Sequence, residues 1–129
     1  MNLFKWLKPR NFSRSAVSVD TIRNIKREWQ NIDILVKGGQ PSQLRQALIV
    51  ADKSLDNVLR DIVSGETMGE RLKNAKDVFN DWDFYQKIWE AHKIRNNLVH
   101  QVGYEPPHQM LKNAIRDLKN GLQSLGVHV

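Results

Sequence analysis

The sequence predicts an all-α fold, an up-and-down bundle of four to five helices around one core. Apolar residues recur at steps of three and four along most of the chain after residue 19, which is the period of one helix face. No useful length of chain alternates apolar and polar residues, as a half-buried strand would. The connections between periodic segments are short, and short connections make successive helices antiparallel neighbours.

Length and charge separate the chain into a tail and a body. The 129 residues fit one domain with a single core. Of the six net positive charges, four lie in residues 1–15, which contain no acid. We therefore expect residues 1–17 to form a basic, apolar, loosely docked tail and residues 18–129 to form the bundle. Association of the tail with nucleic acid or with an anionic membrane surface is an open alternative.

The first two helices are the most regular. The first is expected to begin at Asp20, whose carboxylate can cap it, and to stop at Gly38 and Gly39. The second is expected to follow Pro41 and to end at Gly65. Their inward positions are, in order, Ile22, Ile25, Trp29, Ile32 and Val36, then Leu44, Leu48, Ala51, Leu55, Val58 and Ile62.

Three further helices complete the prediction. A short one is expected within residues 65–79, and a longer one from Asp81 or Asp83 to about Val102, with Gly103 as its stop. The last helix is expected to open after the Pro106-Pro107 pair, since proline fits the first turn of a helix but not its interior. Their inward residues are Leu72, Ala75 and Phe79, and later Leu111, Ala114 or Ile115, Leu118, Leu122 and Leu125.

Composition excludes several kinds of site. The chain contains no cysteine, so it has no disulfide, no thiolate metal site and no cysteine nucleophile, and a reducing cytoplasm is the expected setting. No apolar run is long enough to predict a signal peptide or a membrane-spanning helix. The sequence also lacks a glycine-rich phosphate loop and a serine-triad pattern.

Arg95 stands in the middle of an apolar series on the fourth helix. At about 100° per residue it falls within the same arc of roughly 80° as five apolar residues. A guanidinium in that position needs a carboxylate, a phosphate or carbonyl oxygens. Either a buried ion pair with Asp52 or Asp56 on the second helix or a bound phosphate would satisfy it. The five apolar residues are Phe84, Ile88, Ala91, Leu98 and Val102.

Beside this apolar stripe, the fourth helix has a second stripe that is both aromatic and polar, which is typical of an interface or a site. It contains Tyr85, Trp89, His92 and Asn96. His100 projects near this stripe, about 140° away from Arg95. A lone histidine there can simply interact favourably with the dipole at the end of the helix. His92 and His100 would lie roughly 12 Å apart, so we expect neither a metal site nor a cofactor.

The string KIRNNLVH, residues 93–100, resembles the motif of the HEPN superfamily, in which an arginine, a polar residue and a short spacer precede a histidine. In this sequence those positions are Arg95, Asn96 and His100. The stretches GETMGERLK and VGYEPPHQMLKNAI on either side are also similar to HEPN-like small proteins, and the resemblance covers about residues 43–125. It implies a bundle that forms a homodimer around a two-fold axis, with two motifs in one cleft.

The resemblance implies a metal-independent endoribonuclease of the toxin or defence type. Its partners would be a second copy of the same chain, RNA and an antitoxin protein. By that analogy His100 is the general acid or base, Arg95 holds the scissile phosphate, and Asn96 orients the imidazole or contacts the phosphate. Because Arg95 and His100 point in different directions, the site is expected to be shared between two subunits. The alternative is a non-catalytic HEPN-like module for dimerisation and for binding of nucleotide, RNA or protein.

Overall fold

The computed structural model describes residues 17–129, which form a bundle of five α-helices with one 3-10 turn. Its elements are α1 (Val19–Gly38), α2 (Pro41–Ile62), α3 (Met68–Asn74), the 3-10 turn Lys76–Val78, α4 (Trp82–His100) and α5 (His108–Ser124). Residues 17–129 contain no strand, and the prediction of an all-α bundle is confirmed. The predicted tail of residues 1–17 lies outside the described residues except for Val17, which packs against the core.

Helix α2 is the centre of the bundle, because it packs against each of the other four helices, while α5 also packs on α4. Burying a large apolar side chain contributes roughly 1.5–3 kcal/mol, so this helix supplies much of the driving force for folding. Its fully buried apolar residues are Leu44, Ala47, Leu48, Ala51, Leu55, Val58 and Leu59. None of the helices within residues 17–129 combines the length and the apolar character needed to cross a membrane.

The first two helices end close to the predicted positions, but the residue that caps the start of the first helix differs from the prediction. Ser18, not Asp20, caps α1, since its hydroxyl oxygen accepts a hydrogen bond from the Thr21 backbone N–H at 3.0 Å. Gly39 ends that helix at a φ of 70°, a left-handed conformation that glycine adopts without strain. Helix α2 ends at Ile62, three residues before the predicted stop.

The later elements also differ in detail from the prediction. The third predicted helix is a single short helix followed by the 3-10 turn, and Leu72, Ala75 and Phe79 are buried as expected. Asp81 caps α4, with its carboxylate accepting from the Phe84 backbone N–H at 3.1 Å. Helix α4 ends at His100, so Val102 lies outside it and is fully exposed. The prediction that Val102 faces the core is therefore wrong.

Helix α4 is rotated relative to the predicted wheel. Its buried residues are Tyr85, Ile88, Ala91 and His92, which come from both predicted stripes. The centre of its buried face therefore lies between the stripes. This rotation places Arg95 at the edge of the core and moves His92 inside, where it meets α2.

Candidate functional site

A cleft of about 470 Å³ lies between the C-terminal half of α2, the connection that follows it, α3 and α4. Its ionisable lining includes Asp52, Asp56, Arg60, Arg71, His92 and Arg95. An adjoining groove of about 390 Å³ is lined by residues of α3 and α4, among them Trp89 and Asn96. His92 and Arg95 line both, so they form the boundary between the two depressions.

Asp52 is the buried acid at the bottom of this site. Its side chain comes from α2 and the residue is only 2% exposed. The Nδ1 atom of the buried His92 ring lies 3.0 Å and 3.2 Å from the two carboxylate oxygens of Asp52. A buried carboxylate needs such a partner, and the sequence analysis did not identify His92 in that role.

Arg95 is held at the site by weaker contacts. Its side chain is 30% exposed, and its Nε atom lies 3.7 Å from the Asp52 carboxylate, which is beyond hydrogen-bond distance. Its Nη1 donates to the Oδ1 of Asn96 at 3.0 Å. Of the two acids that the sequence offered to Arg95, Asp52 is the one beside it. The ion pair is loose and partly faces the cleft.

Contacts between side chains connect Arg95, Asn96, His92 and Asp52 in that order. Because Asn96 Oδ1 accepts from Arg95, the amide nitrogen of Asn96 faces His92 and lies 3.3 Å from Nε2. At the other edge of the imidazole, Nδ1 of His92 donates its proton to the Asp52 carboxylate. The loose contact between Arg95 and Asp52 closes the circuit, which we call the Asp52 ring.

Burial raises the pKa of Asp52 above its ordinary value of 3.8, because the charged carboxylate loses its hydration. The hydrogen bond from His92, and the charges of His92 and Arg95, act in the opposite direction without cancelling the rise. Asp52 is therefore a carboxylate whose charge is poorly compensated in the folded protein. An ion pair as loose as that with Arg95 is consistent with this imbalance.

The second acid, Asp56, has a different partner. Arg71 from α3 donates from Nε and Nη2 to its two carboxylate oxygens at 2.7 Å and 3.0 Å. Nη1 of the same guanidinium donates to the Gly65 carbonyl at 2.7 Å. The hydrogen bonds to Asp56 raise the pKa of Arg71 further, so the guanidinium stays charged. The sequence analysis missed Arg71.

Gly65 makes this second pair possible. Its φ is 148°, and a Cβ at this position would lie 2.8 Å from Cγ of Arg71. A side chain there would be strained and would also push the arginine away from Asp56. The glycine expected to stop α2 therefore serves a different purpose, as the close-packed neighbour of a buried guanidinium.

His100, the third residue of the predicted motif, is separate from the other two. It is the exposed last residue of α4, and its side chain makes no hydrogen bond or ion pair with any residue in 17–129. Five residues of helix place it about 7.5 Å further along the axis than Arg95 and about 140° around it. Within one chain the structure thus brings Arg95 and Asn96 together and leaves His100 apart.

Within residues 17–129 no three side chains of histidine, aspartate or glutamate cluster in a way that could hold a metal ion. Comparison of this chain with protein-family models, with curated proteins and with solved structures gives no match.

Proposed function

We propose that the protein is a HEPN-like, metal-independent endoribonuclease of the toxin or defence type that acts in the cytoplasm as a homodimer. The supporting observation is the state of Arg95. Asn96 positions its guanidinium, yet Asp52 is 3.7 Å away and Nη2 has no hydrogen-bond partner among residues 17–129. A guanidinium with free N–H groups at a cleft is suited to bind phosphate oxygens.

In this proposal the protein catalyses an internal transfer at phosphorus. His100 accepts the proton of the ribose 2′-hydroxyl, whose oxygen attacks the neighbouring phosphorus. The bond between phosphorus and the 5′-oxygen breaks, that oxygen takes up a proton from water, and the protonated His100 returns its proton to the resulting hydroxide. The products are a 2′,3′-cyclic phosphate and a 5′-hydroxyl. Arg95 stabilises the additional negative charge that develops on the phosphoryl oxygens, and Asn96 fixes its orientation.

The proposal needs two copies, because Arg95 and His100 diverge on one helix. The surface beside His100 supports self-association: Val99, Val102 and Met110 are large apolar residues, exposed around the connection between α4 and α5. Exposed apolar residues concentrated at one end of a domain are typical of an interface. A two-fold axis near this end would place His100 of one copy opposite Arg95 of the other.

The first test is cleavage of labelled RNA by the purified full-length chain in the presence of EDTA. We expect cleavage that survives chelation, leaves 2′,3′-cyclic phosphate ends and is lost in His100→Ala. His128→Ala is the matched control, because His128 is also an exposed histidine but lies after α5, and it should cleave like the wild type. Activity that is unchanged in His100→Ala, or abolished by EDTA, would contradict the proposal.

One observation favours the second candidate, a non-catalytic HEPN-like module. The Asp52 ring is complete within a single chain, and His100 takes no part in it. Arg95 would then bind a nucleotide, an RNA phosphate or a protein partner without chemistry. Absence of RNA cleavage, together with nucleotide or RNA binding that is lost in Arg95→Ala, would favour this module over the nuclease.

A further inference from the structure

A shallow groove of about 460 Å³ runs along α4, next to the candidate site. Apart from Gln86, the described residues that line it are three aromatic and three basic ones, and none of them is an acid. We call it the lysine–tryptophan groove. The six residues are Trp82, Tyr85, Trp89, Lys73, Lys76 and Lys93.

The aromatic residues form a continuous row. Ring centroids of Trp82 and Tyr85 lie 5.9 Å apart, and those of Tyr85 and Trp89 lie 6.5 Å apart. Tyr85 is buried and its hydroxyl donates to the Leu72 carbonyl at 2.7 Å, so it anchors the row to the bundle. Trp82 is 58% exposed, although a large aromatic ring is normally buried. The row therefore presents one open indole and one partly covered indole to solvent.

The lysines of the groove are available to a ligand. Neither Lys73 nor Lys76 has a salt bridge to a described residue, and Nζ of Lys76 stands 5.2 Å from the centre of the Trp82 ring. Lys93 lies 3.3 Å from Glu90, but both side chains are exposed and such pairs contribute little. Three ammonium groups beside one open and one partly covered indole are complementary to a chain of phosphates and bases.

The groove leads to Arg95. Trp89 and Lys93 also line the adjoining depression that contains His92, Arg95 and Asn96. The ring centroids of Trp89 and His92 are 6.0 Å apart, which extends the aromatic row to the Asp52 ring. Asn96 follows Trp82 by fourteen positions on α4, which corresponds to about 21 Å along the helix axis.

We propose that the lysine–tryptophan groove binds single-stranded RNA, with bases stacked on Trp82 and Trp89 and phosphates near the three lysines. Stacking on aromatic side chains beside basic groups is how proteins bind unpaired strands, whereas a duplex hides the faces of its bases. The groove then directs the strand toward Arg95. Only this last step rests on the proposed nuclease function, because binding in the groove does not require cleavage.

The test measures binding of a fluorescent uridine-rich RNA of about twelve nucleotides to the full chain carrying His100→Ala, with EDTA present. Fluorescence anisotropy is recorded at several salt concentrations. We expect Trp82→Ala to weaken binding about tenfold and Trp82→Phe to retain most of it, because phenylalanine still offers a ring for stacking. Trp82 is exposed, so circular dichroism should give the same melting curve for both variants.

Lysine variants separate the groove from general charge. Lys76→Gln should weaken binding and lower the salt slope by about 0.7, the value for one lost phosphate contact to a single strand. Lys26→Gln removes one positive charge at an exposed position of α1, and it should alter neither the affinity nor the salt slope. Unchanged binding in Trp82→Ala, equal affinity for a duplex of the same length, or equal competition by polyglutamate would overturn the groove proposal.

The outcomes for the groove and for the nuclease can be told apart. If RNA binds and Trp82→Ala weakens it, the groove proposal is supported even when the wild-type chain cleaves no RNA. If the wild-type chain cleaves RNA through His100 while the groove variants bind normally, the nuclease proposal stands and the groove proposal is wrong.

Discussion

Two acids one turn apart on α2 have opposite environments. Asp56 is held by Arg71 through two short hydrogen bonds, and that arginine is only 7% exposed. Asp52 has a hydrogen bond from His92, but its arginine, Arg95, stays 3.7 Å away and is 30% exposed. Two acids on one helix thus take part in different structures. Asp56 belongs to a closed ion pair with Arg71, and Asp52 belongs to the more open Asp52 ring.

The two environments indicate which arginine is available to a ligand. The guanidinium of Arg71 uses all three of its nitrogens on Asp56 and a backbone carbonyl, so it joins α2 to α3 and has little capacity for a ligand. Among the described residues, the Arg95 side chain makes one hydrogen bond, to Asn96, and it lines a cleft. We interpret the first as part of the scaffold and the second as part of the site.

The largest effect on stability is expected for the closed pair. Arg71→Ala should lower the free energy of unfolding by about 3–5 kcal/mol, because it leaves Asp56 buried without its main partner. Arg60→Ala is the control, since Arg60 also approaches Asp56, at 3.4 Å, but is mostly exposed, and it should cost less than about 1 kcal/mol. Urea unfolding measures both. Equal losses would refute the distinction between them.

The open ring should tolerate the corresponding change better. Arg95→Ala should lower the free energy of unfolding by about 1 kcal/mol, because Asp52 keeps its hydrogen bond from His92 and solvent screens part of the lost charge. The same urea series measures it. A loss as large as that of Arg71→Ala would mean that Arg95 is a structural partner of Asp52, and would remove the main support for a ligand site.

The pKa of Asp52 predicts a pH effect whose sign identifies the dominant interaction. Because its folded-state pKa is raised, the folded protein binds a proton at a higher pH than the unfolded chain does. Protonation of Asp52 then favours folding, and this contribution is lost as the pH rises through the folded-state pKa. The melting temperature of the wild type should therefore rise relative to that of Asp52→Asn as the pH falls from 7 toward 4.

An opposite trend, in which the wild type loses stability relative to Asp52→Asn in acid, would mean that pairing with His92 and Arg95 outweighs burial. The ring would then be a tight ion pair like that of Asp56. Lys26→Gln serves as the control, because it removes an exposed charge on α1, away from the ring, and its pH profile should follow that of the wild type.

The smallest effect on stability is expected at His100. It is exposed and has no partner in residues 17–129, so His100→Ala should change the free energy of unfolding by less than about 0.5 kcal/mol. Thermal unfolding followed by circular dichroism measures this. A larger loss in a dimeric preparation, absent at low protein concentration, would instead place His100 in a subunit contact.

Apolar periodicity predicted the class of fold and most of the helices, because each helix buries one face and that face is written directly into the sequence. The same periodicity placed Arg95 within reach of α2, which left Asp52 and Asp56 as its possible partners. Asp52 is confirmed as the nearby acid. Asn96 and Arg95 also lie together, as the motif suggested, although nothing tests their catalytic roles.

The remaining features depend on how the helices rotate against each other, which a wheel of one helix does not contain. The rotation of α4 brought His92 onto Asp52, and the loop after α2 let Arg71 reach Asp56. Two buried acids on an apolar helix were the available signal, since each requires a donor. The end of α4 at His100, earlier than predicted, depends on the backbone conformation at that end of the helix, which a helical wheel does not describe.

The most direct test of a ligand-ready Arg95 is complementation between inactive subunits. Arg95→Ala and His100→Ala chains are unfolded together, refolded and assayed for RNA cleavage in EDTA. Mixed dimers would contain one intact composite site, so roughly a quarter of the wild-type activity should return although each variant alone is inactive. No recovery in mixtures that demonstrably form mixed dimers would contradict a site shared between subunits.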